Sequence, residues 1–420
     1  MNRCPTILIP ITLVSPMAAC GFPRPADVPG PDECIPNSAS CGPGPNEIDR
    51  CGPDGLPAGR ETCLLACETK PTPQCAYVEP RYLPDVCDAV APMPSFTVTN
   101  FASFDTNLDN NCTGGVFNQD GGPPICIVRY GSIEIATTGT LTVSGARAIA
   151  LVADSAIMVN GVLDVGGKGF ASGPGGGTVS SGAKVGSDGG GGAGFATVGG
   201  PGGSATMDGG GGLGGGKATD PSLLTVLVGG TSPANIAVLG PNAGGGGGAA
   251  TLIACRGQVS VSGMIDAGGG GGDGGRFGIS MFSKFAGAGG GSGGNVVLQG
   301  LSIIVTGQIF ANGGGGGGGL FVNPQGGGTV GGIGGNGTRS ATVAASGGSA
   351  PATAGGGGTG GLQGTAPGVG LRPSDTSGFP GGGGGSVGFF QAYTPIGTTP
   401  TLTPSAASPA FSANKAIRTR

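Results

Sequence analysis

The sequence predicts an all-β protein: a short right-handed parallel β-helix, a solenoid, with long glycine-rich insertions and an N-terminal disulfide-rich collar. Three observations predict it. Glycine fills 100 of 420 positions, about three times the usual share, and clusters in runs. Between the runs lie short Val/Ile/Leu stretches with period-two alternation and no helical period. Four of these stretches align with one another up to a shared glycine.

The start of the chain carries export features. Residues 1–20 combine Arg3, a short apolar run (Ile7, Leu8, Ile9, Ile11, Leu13, Val14) and the ending Met17-Ala18-Ala19-Cys20. A basic start, an apolar stretch too short to span a bilayer and small residues before a cysteine make a signal peptide. Its end resembles a lipobox, the processing site of bacterial lipoproteins, with Met17 where Leu is usual. That resemblance implies lipidation of Cys20 and a membrane partner through the lipid. Gly21 stands where Asp would favour inner-membrane retention, so the expected address is the outer membrane or cell surface.

Residues 21–95 are expected to form a collar or stalk. Cysteines fall at 34, 41, 51, 63, 67, 75 and 87 among prolines and glycines, with few apolar residues between them. A segment this poor in core needs disulfides, hence an oxidising compartment. Zinc is excluded by spacing: no C-x-x-C pair occurs, and no histidine could complete a site.

Residues 96–131 are expected to cap the solenoid, because an open strand edge must be covered. Cys112 and Cys126 are expected to pair and pin that cap. A further cysteine, Cys255, sits inside a strand. Either one thiol stays free or a bridge reaches Cys255.

The solenoid itself is assigned to residues 132–402. The aligned segments are Ser132–Gly145, Ala148–Gly161, Ala250–Gly263 and Gly294–Gly307. Each has an apolar strand, a short break and an alternating strand ending in a small polar residue and glycine, which suits a corner. Leu141, Ile157, Val259 and Ile303 are expected in one inward column, with Val143, Val159, Val261 and Val305 in another. A degraded fifth copy covers Ser386–Phe390. The insertions, at about 166–248, 268–293 and 313–385, are expected to leave one face as loops. They are either disordered or packed as extended three-fold glycine helices, which would need partner strands for their backbone groups. The small, polar residues 403–420 are expected to fray.

A lipobox-like end, a cysteine-rich collar and strand–glycine repeats together resemble glycine-rich, β-helix-like bacterial surface lipoproteins. The broader architecture resembles pectate-lyase-like solenoids, which often act on polysaccharide. The resemblance carries no enzymatic motif. It implies a structural or adhesive cell-surface lipoprotein. The alternative is a polysaccharide-active or carbohydrate-binding protein meeting envelope polysaccharide or other cells.

Chemistry is weighed against that background. The chain has no histidine, which removes His-based catalysis and His-ligated metal. Its net charge of −4, without a basic cluster, argues against nucleic acid. No glycine run is followed by Gly-Lys-Ser/Thr, so no nucleotide loop is expected. No metal or cofactor is assigned, and no catalytic residue. Asp164 and Asp266 occupy equivalent repeat positions, where paired carboxylates could act on sugars, but Phe310 breaks the series. Asp273 lies in a glycine run but lacks the aliphatic residue that calcium repeats require, because Gly275 stands there. Arg147 and Arg256 lie in the repeats at unmatched positions.

Overall fold

A computed structural model describes residues 34–420 apart from 45, 64–65, 70–72, 89–90, 92, 181–187, 206–210, 217–223, 235–239 and 279–282. The proposed signal peptide and Cys20 lie outside the described residues. The chain divides into two compact units, residues 1–63 with 67–74, and 64–66 with 75–420.

The smaller unit is an antiparallel sheet of Ala39–Cys41, Glu47–Cys51 and Pro57–Thr62. Its buried apolar content is slight, essentially Ile48 and half-cystines. Bridges Cys34–Cys51 and Cys41–Cys67 supply what a core cannot. Charge pairs across the sheet, Arg50–Glu61 and Arg60–Asp49, are exposed.

The larger unit is all-β, and its strands follow from two sequence patterns. Stretches such as Ala148–Ala153 (AIALVA) are apolar at every position and are buried on both faces. Stretches such as Ile157–Val159 and Thr140–Ser144 alternate, with one face in and one out. Strands buried on both faces over much of their length form the middle of a twelve-stranded sheet. Ile125–Tyr130, Ala148–Ala153, Ala249–Val261, Asn295–Val305 and Phe389–Pro395 pair in that order, each parallel to the next. A six-stranded parallel sheet opposes it. It runs Phe101–Asp105, Thr140–Ser144, Val162–Asp164, Met264–Asp266, Gln308–Phe310, Ala406–Ser408. Ile133, Ile157, Val259 and Ile303 from the large sheet and Leu141, Leu163, Ile265 and Ile309 from the small one fill the space between. The outer face of the large sheet is covered by Tyr77, Val78, Tyr82, Leu83 and Leu227.

This corrects the expected right-handed parallel β-helix. The large sheet is mixed and curls like a half-barrel. Gly115–Phe117 closes one end antiparallel to Ile125–Ile127, and Val78–Glu79 closes the other antiparallel to Arg418–Thr419. Unpaired backbone at an open edge explains both closures. A uniform coil also fails because the chain does not turn back after its third strand. At Asp164, Asp266 and Phe310 it leaves the sheets into glycine.

The first repeat copy is also re-registered. Ile133 and Ile135 pair with Ile157 and Val159 in the large sheet. Leu141 pairs with Leu163 in the small one, so it does not share a column with Ile157, nor does Val143 with Val159. Ile125–Tyr130, assigned to the cap, is the true counterpart of Ala148–Ala153. The C-terminal stretch is not frayed: Lys415–Thr419 is a strand between Phe389–Pro395 and Val78–Glu79, with Ile417 buried.

Leu163, fully buried at the centre of the small sheet, sets a stability test. Leu163→Ala is expected to cost about 2–5 kcal/mol in urea unfolding. Thr142→Ala, on the outward face of the neighbouring strand, is expected to change stability by no more than ~0.5 kcal/mol.

Candidate functional site

Of the two forms expected for the glycine insertions, the described runs take the packed one. The insertions are not loops: their described glycine runs pack against each other as extended chains with a three-residue repeat, the geometry of a polyproline II helix. Residues 313–319 show the rule. The N–H groups of Gly313, Gly316 and Gly319 donate to Gly361, Gly358 and Gly355. Those of Gly314 and Gly317 donate to Gly291 and Ala288, and those of Gly315 and Gly318 to Gly335 and Gly332. All seven bonds are 2.7–2.9 Å long. The carbonyls face three other segments, accepting from Gly385 and Gly382, from Gly272 and Gly275, and from Gly348. One strand of glycine therefore has six neighbours, and all seven N–H groups and the carbonyls of Gly314–Gly318 are satisfied by backbone alone.

Such packing admits no side chain. A Cβ on any of Gly313–Gly319 would lie 1.8–2.2 Å from a backbone oxygen of a neighbouring segment. Outer segments carry their larger side chains at every third residue, on the side away from the glycine packing. Val330, Ile333, Asn336 and Arg339 recur every third residue and are exposed, as are Val343, Ser346 and Ser349.

The two aspartates singled out in the repeats do come together. Asp164 pairs with Asp266 across adjacent parallel strands. Both are buried, and Thr142 and Phe310 flank them in the ladder. Neither is free. Arg339 spans the pair, with Nη2 2.9 Å from Asp164 Oδ2 and Nε 2.7 Å from Asp266 Oδ2. Lys168 Nζ lies 3.0 Å from Asp164 and 3.7 Å from Asp266. The backbone N–H groups of Gly166 and Gly268 donate to the Oδ1 atoms, each at 3.0 Å. Burial works against the Arg339 charge, but hydrogen bonding and attraction from Asp266, then Asp164, outweigh it and hold the guanidinium above its ordinary value. Two carboxylates matched by two cations and two N–H groups make a tether for the 330–339 segment. A general acid would need one of them protonated and facing substrate.

The other candidates are likewise occupied. Asp273 is buried and accepts from Asn242 N and Nδ2 at 3.1 and 3.2 Å, with Arg276 at 3.5 Å. Arg147 meets Asp109 at 2.5 Å, and the Arg256 guanidinium lies 5.0 Å over the Tyr77 ring. Among the described residues no group of three or more Cys, Asp or Glu is placed to hold a metal. No helix among them is long and apolar enough to cross a membrane.

Cys112 and Cys126 are bonded to each other, with S–S at 2.02 Å. Cys255 is bridged to Cys87, 168 residues away. The ten cysteines of the described region are all disulfide-bonded, which fits an oxidising, extracytoplasmic compartment.

Sequence reasoning missed Lys168 and Arg339. Lys168 could have been noticed four residues after Asp164. Arg339 carries no local signal, being 175 residues from Asp164 and delivered by the glycine layer. Comparison with protein-family models, curated proteins and solved structures finds no match to this chain.

Two outcomes are expected. Gly316→Ala, placed 2.2 Å from the Gly382 oxygen, should lower stability by about 1–3 kcal/mol and raise amide exchange across 313–319. Gly356→Ala, whose nearest neighbour would be a Leu371 side-chain carbon at 3.6 Å, should be silent within ~0.5 kcal/mol. Separately, Arg339→Ala should cost about 1–3 kcal/mol, because two buried carboxylates lose a hydrogen-bonding partner. Asp164→Asn with Asp266→Asn in the same chain should recover part of that loss in thermal unfolding.

Proposed function

We propose that the protein is a structural or adhesive surface lipoprotein, anchored through Cys20 at the outer membrane or cell surface and acting by presenting a rigid face. The observation that carries this reading is the glycine layer. Segments that would be mobile loops are fixed by backbone hydrogen bonds, and they display Val330, Ile333, Val343, Ser346 and Ser349 outward at regular intervals. A layer of this kind holds exposed side chains in place at little further entropic cost on binding. The neutralised Asp164–Asp266 pair supports presentation over turnover.

The test uses the full chain in a bacterial host. Cys20→Ala is expected to move the protein from the membrane fraction to the soluble one. A wild-type protein that is already soluble and begins at another residue refutes the anchor. Purified protein from residue 21 is expected to bind whole cells, and Val330→Asp with Ile333→Asp to weaken that binding. Saccharide cleavage abolished by Asp164→Asn would replace this reading with an enzymatic one.

A further inference from the structure

The corner between the two sheets holds a feature that the sequence reading did not use. Three successive rungs turn there through a glycine: Gly161, Gly263 and Gly307, stacked above one another. A Cβ on Gly161 would lie 2.2 Å from the Ala136 and Gly139 oxygens. On Gly263 it would lie 2.1 Å from the Gly161 oxygen, and on Gly307 2.1 Å from the Gly263 oxygen. Close stacking therefore forbids side chains at the corner, while the residues on either side keep theirs. The result is a trough along the stacking direction, about 310 Å³ in volume.

Its two walls differ. One carries Thr137, Asn160 and Ser262, and Ser405 stands at the end. The other carries Val162, Met264 and Gln308. Ser262 Oγ donates to Asn160 Oδ1 at 2.7 Å, which orients the amide and leaves the serine oxygen as an acceptor. The Asn160 Nδ2 faces Glu134 Oε1 at a long 3.4 Å. The Gln308 amide and the Thr137 hydroxyl make no hydrogen bond to the described residues. No charged side chain lines the trough, and the Glu134 carboxylate, 3.4 Å from Asn160 Nδ2, stands beside it.

We infer that this corner trough binds a neutral polysaccharide strand. A sugar ring offers hydroxyls at its edge and C–H groups on its face. The trough offers hydroxyls and amides on one wall and the Val162 and Met264 side chains on the other. Rungs repeat at about 4.8 Å, so the polar/apolar pairing recurs on two successive rungs, Asn160 with Val162 and Ser262 with Met264. An acidic glycan finds no cation there and meets Glu134 at the edge. The inference rests on the surface-adhesion reading and names the ligand class of that adhesion. It adds a contact at the ladder corner to the one proposed on the outer glycine face.

Affinity electrophoresis of the purified protein tests it, in native gels containing hydroxyethyl cellulose, galactomannan or polygalacturonate. Retardation by a neutral polymer is expected, with none by polygalacturonate. Asn160→Ala and Gln308→Ala should each weaken it roughly fivefold to tenfold, the loss of about one hydrogen bond. Met264→Ser should weaken it as well, and Thr142→Ala should not. Unchanged thermal unfolding in each variant excludes misfolding as the cause. Retardation that persists in the three trough variants places binding elsewhere and overturns the inference, while leaving adhesion intact. No retardation by either neutral polymer, or retardation by polygalacturonate alone, also overturns it. Whole-cell binding measured in parallel then decides the adhesion reading by itself.

Discussion

Backbone meeting backbone without intervening side chains is the constraint on which the larger unit depends. In an ordinary core, side chains set the distance between elements and hydrogen bonds follow. Around residues 313–319 the order is reversed. Hydrogen bonds in six directions set the distance, and any Cβ would violate it. Glycine loses more conformational freedom on folding than any other residue. That cost is offset only if every N–H and C=O finds a partner and the segments touch along their length. The glycine composition is thus a packing requirement, repeated wherever one chain crosses another.

The layer cannot supply its own register, since glycine segments that slip by three residues look alike to their neighbours. The register comes from the ladder. Val165 and Ala267 donate to Asp266 and Phe310 on the next rung, continuing the strand pairing past the last side chain. Gly167 then donates to Gly268, and Gly269 to Asn312, carrying the same stagger into glycine. At the return, Asn295 donates to Gly248 and Phe389 to Gly294. The apolar columns of Ile157, Val259 and Ile303 fix the rungs because a slip by one residue would turn every inward side chain outward. The glycine segments inherit that fixed spacing at both ends.

This division explains what the sequence could disclose. Alternation at Ile157–Val159 and Val259–Val261 identified strands because each has one dry and one wet face. The apolar stretches around Ala148–Ala153 and Ala250–Ala254 were legible as strands, and the structure covers them on both faces. The first repeat misled because its corner, residues 136–139, is two residues longer than Asn160-Gly161. That length hid Ile125–Tyr130 as the covered strand and moved Leu141 into the wrong column. The closing antiparallel strands were illegible, since Gly115–Phe117 and Lys415–Thr419 have no pattern of their own and pair to satisfy an edge. Asp164 and Asp266 were legible as a pair, because repeats place equivalent residues on neighbouring rungs. Their partner was not, because three-residue periodicity in glycine says that Arg339 shares a side with Asn336 and Ile333, but not which rung that side meets.

The same logic separates the places where this chain can vary from those where it cannot. Inside the layer the backbone leaves no room, so chemistry is confined to its rim and to the ladder. On the rim, side chains recur every third residue and their spacing is set by the helix. On the ladder, outward positions recur at every rung, with corner glycines cutting a trough between two rows. Asn336 shows how tightly the two systems are joined: its Oδ1 accepts from Gly169 at 2.8 Å and from Gly271 at 3.1 Å, bridging two excursions from successive rungs. Arg339, one turn further along the same segment, closes on the aspartates from which those excursions depart. A polar residue on the rim therefore fastens the layer to the ladder at the point where the chain leaves one for the other. The two outward faces, rim and corner, are held in fixed relation by that fastening.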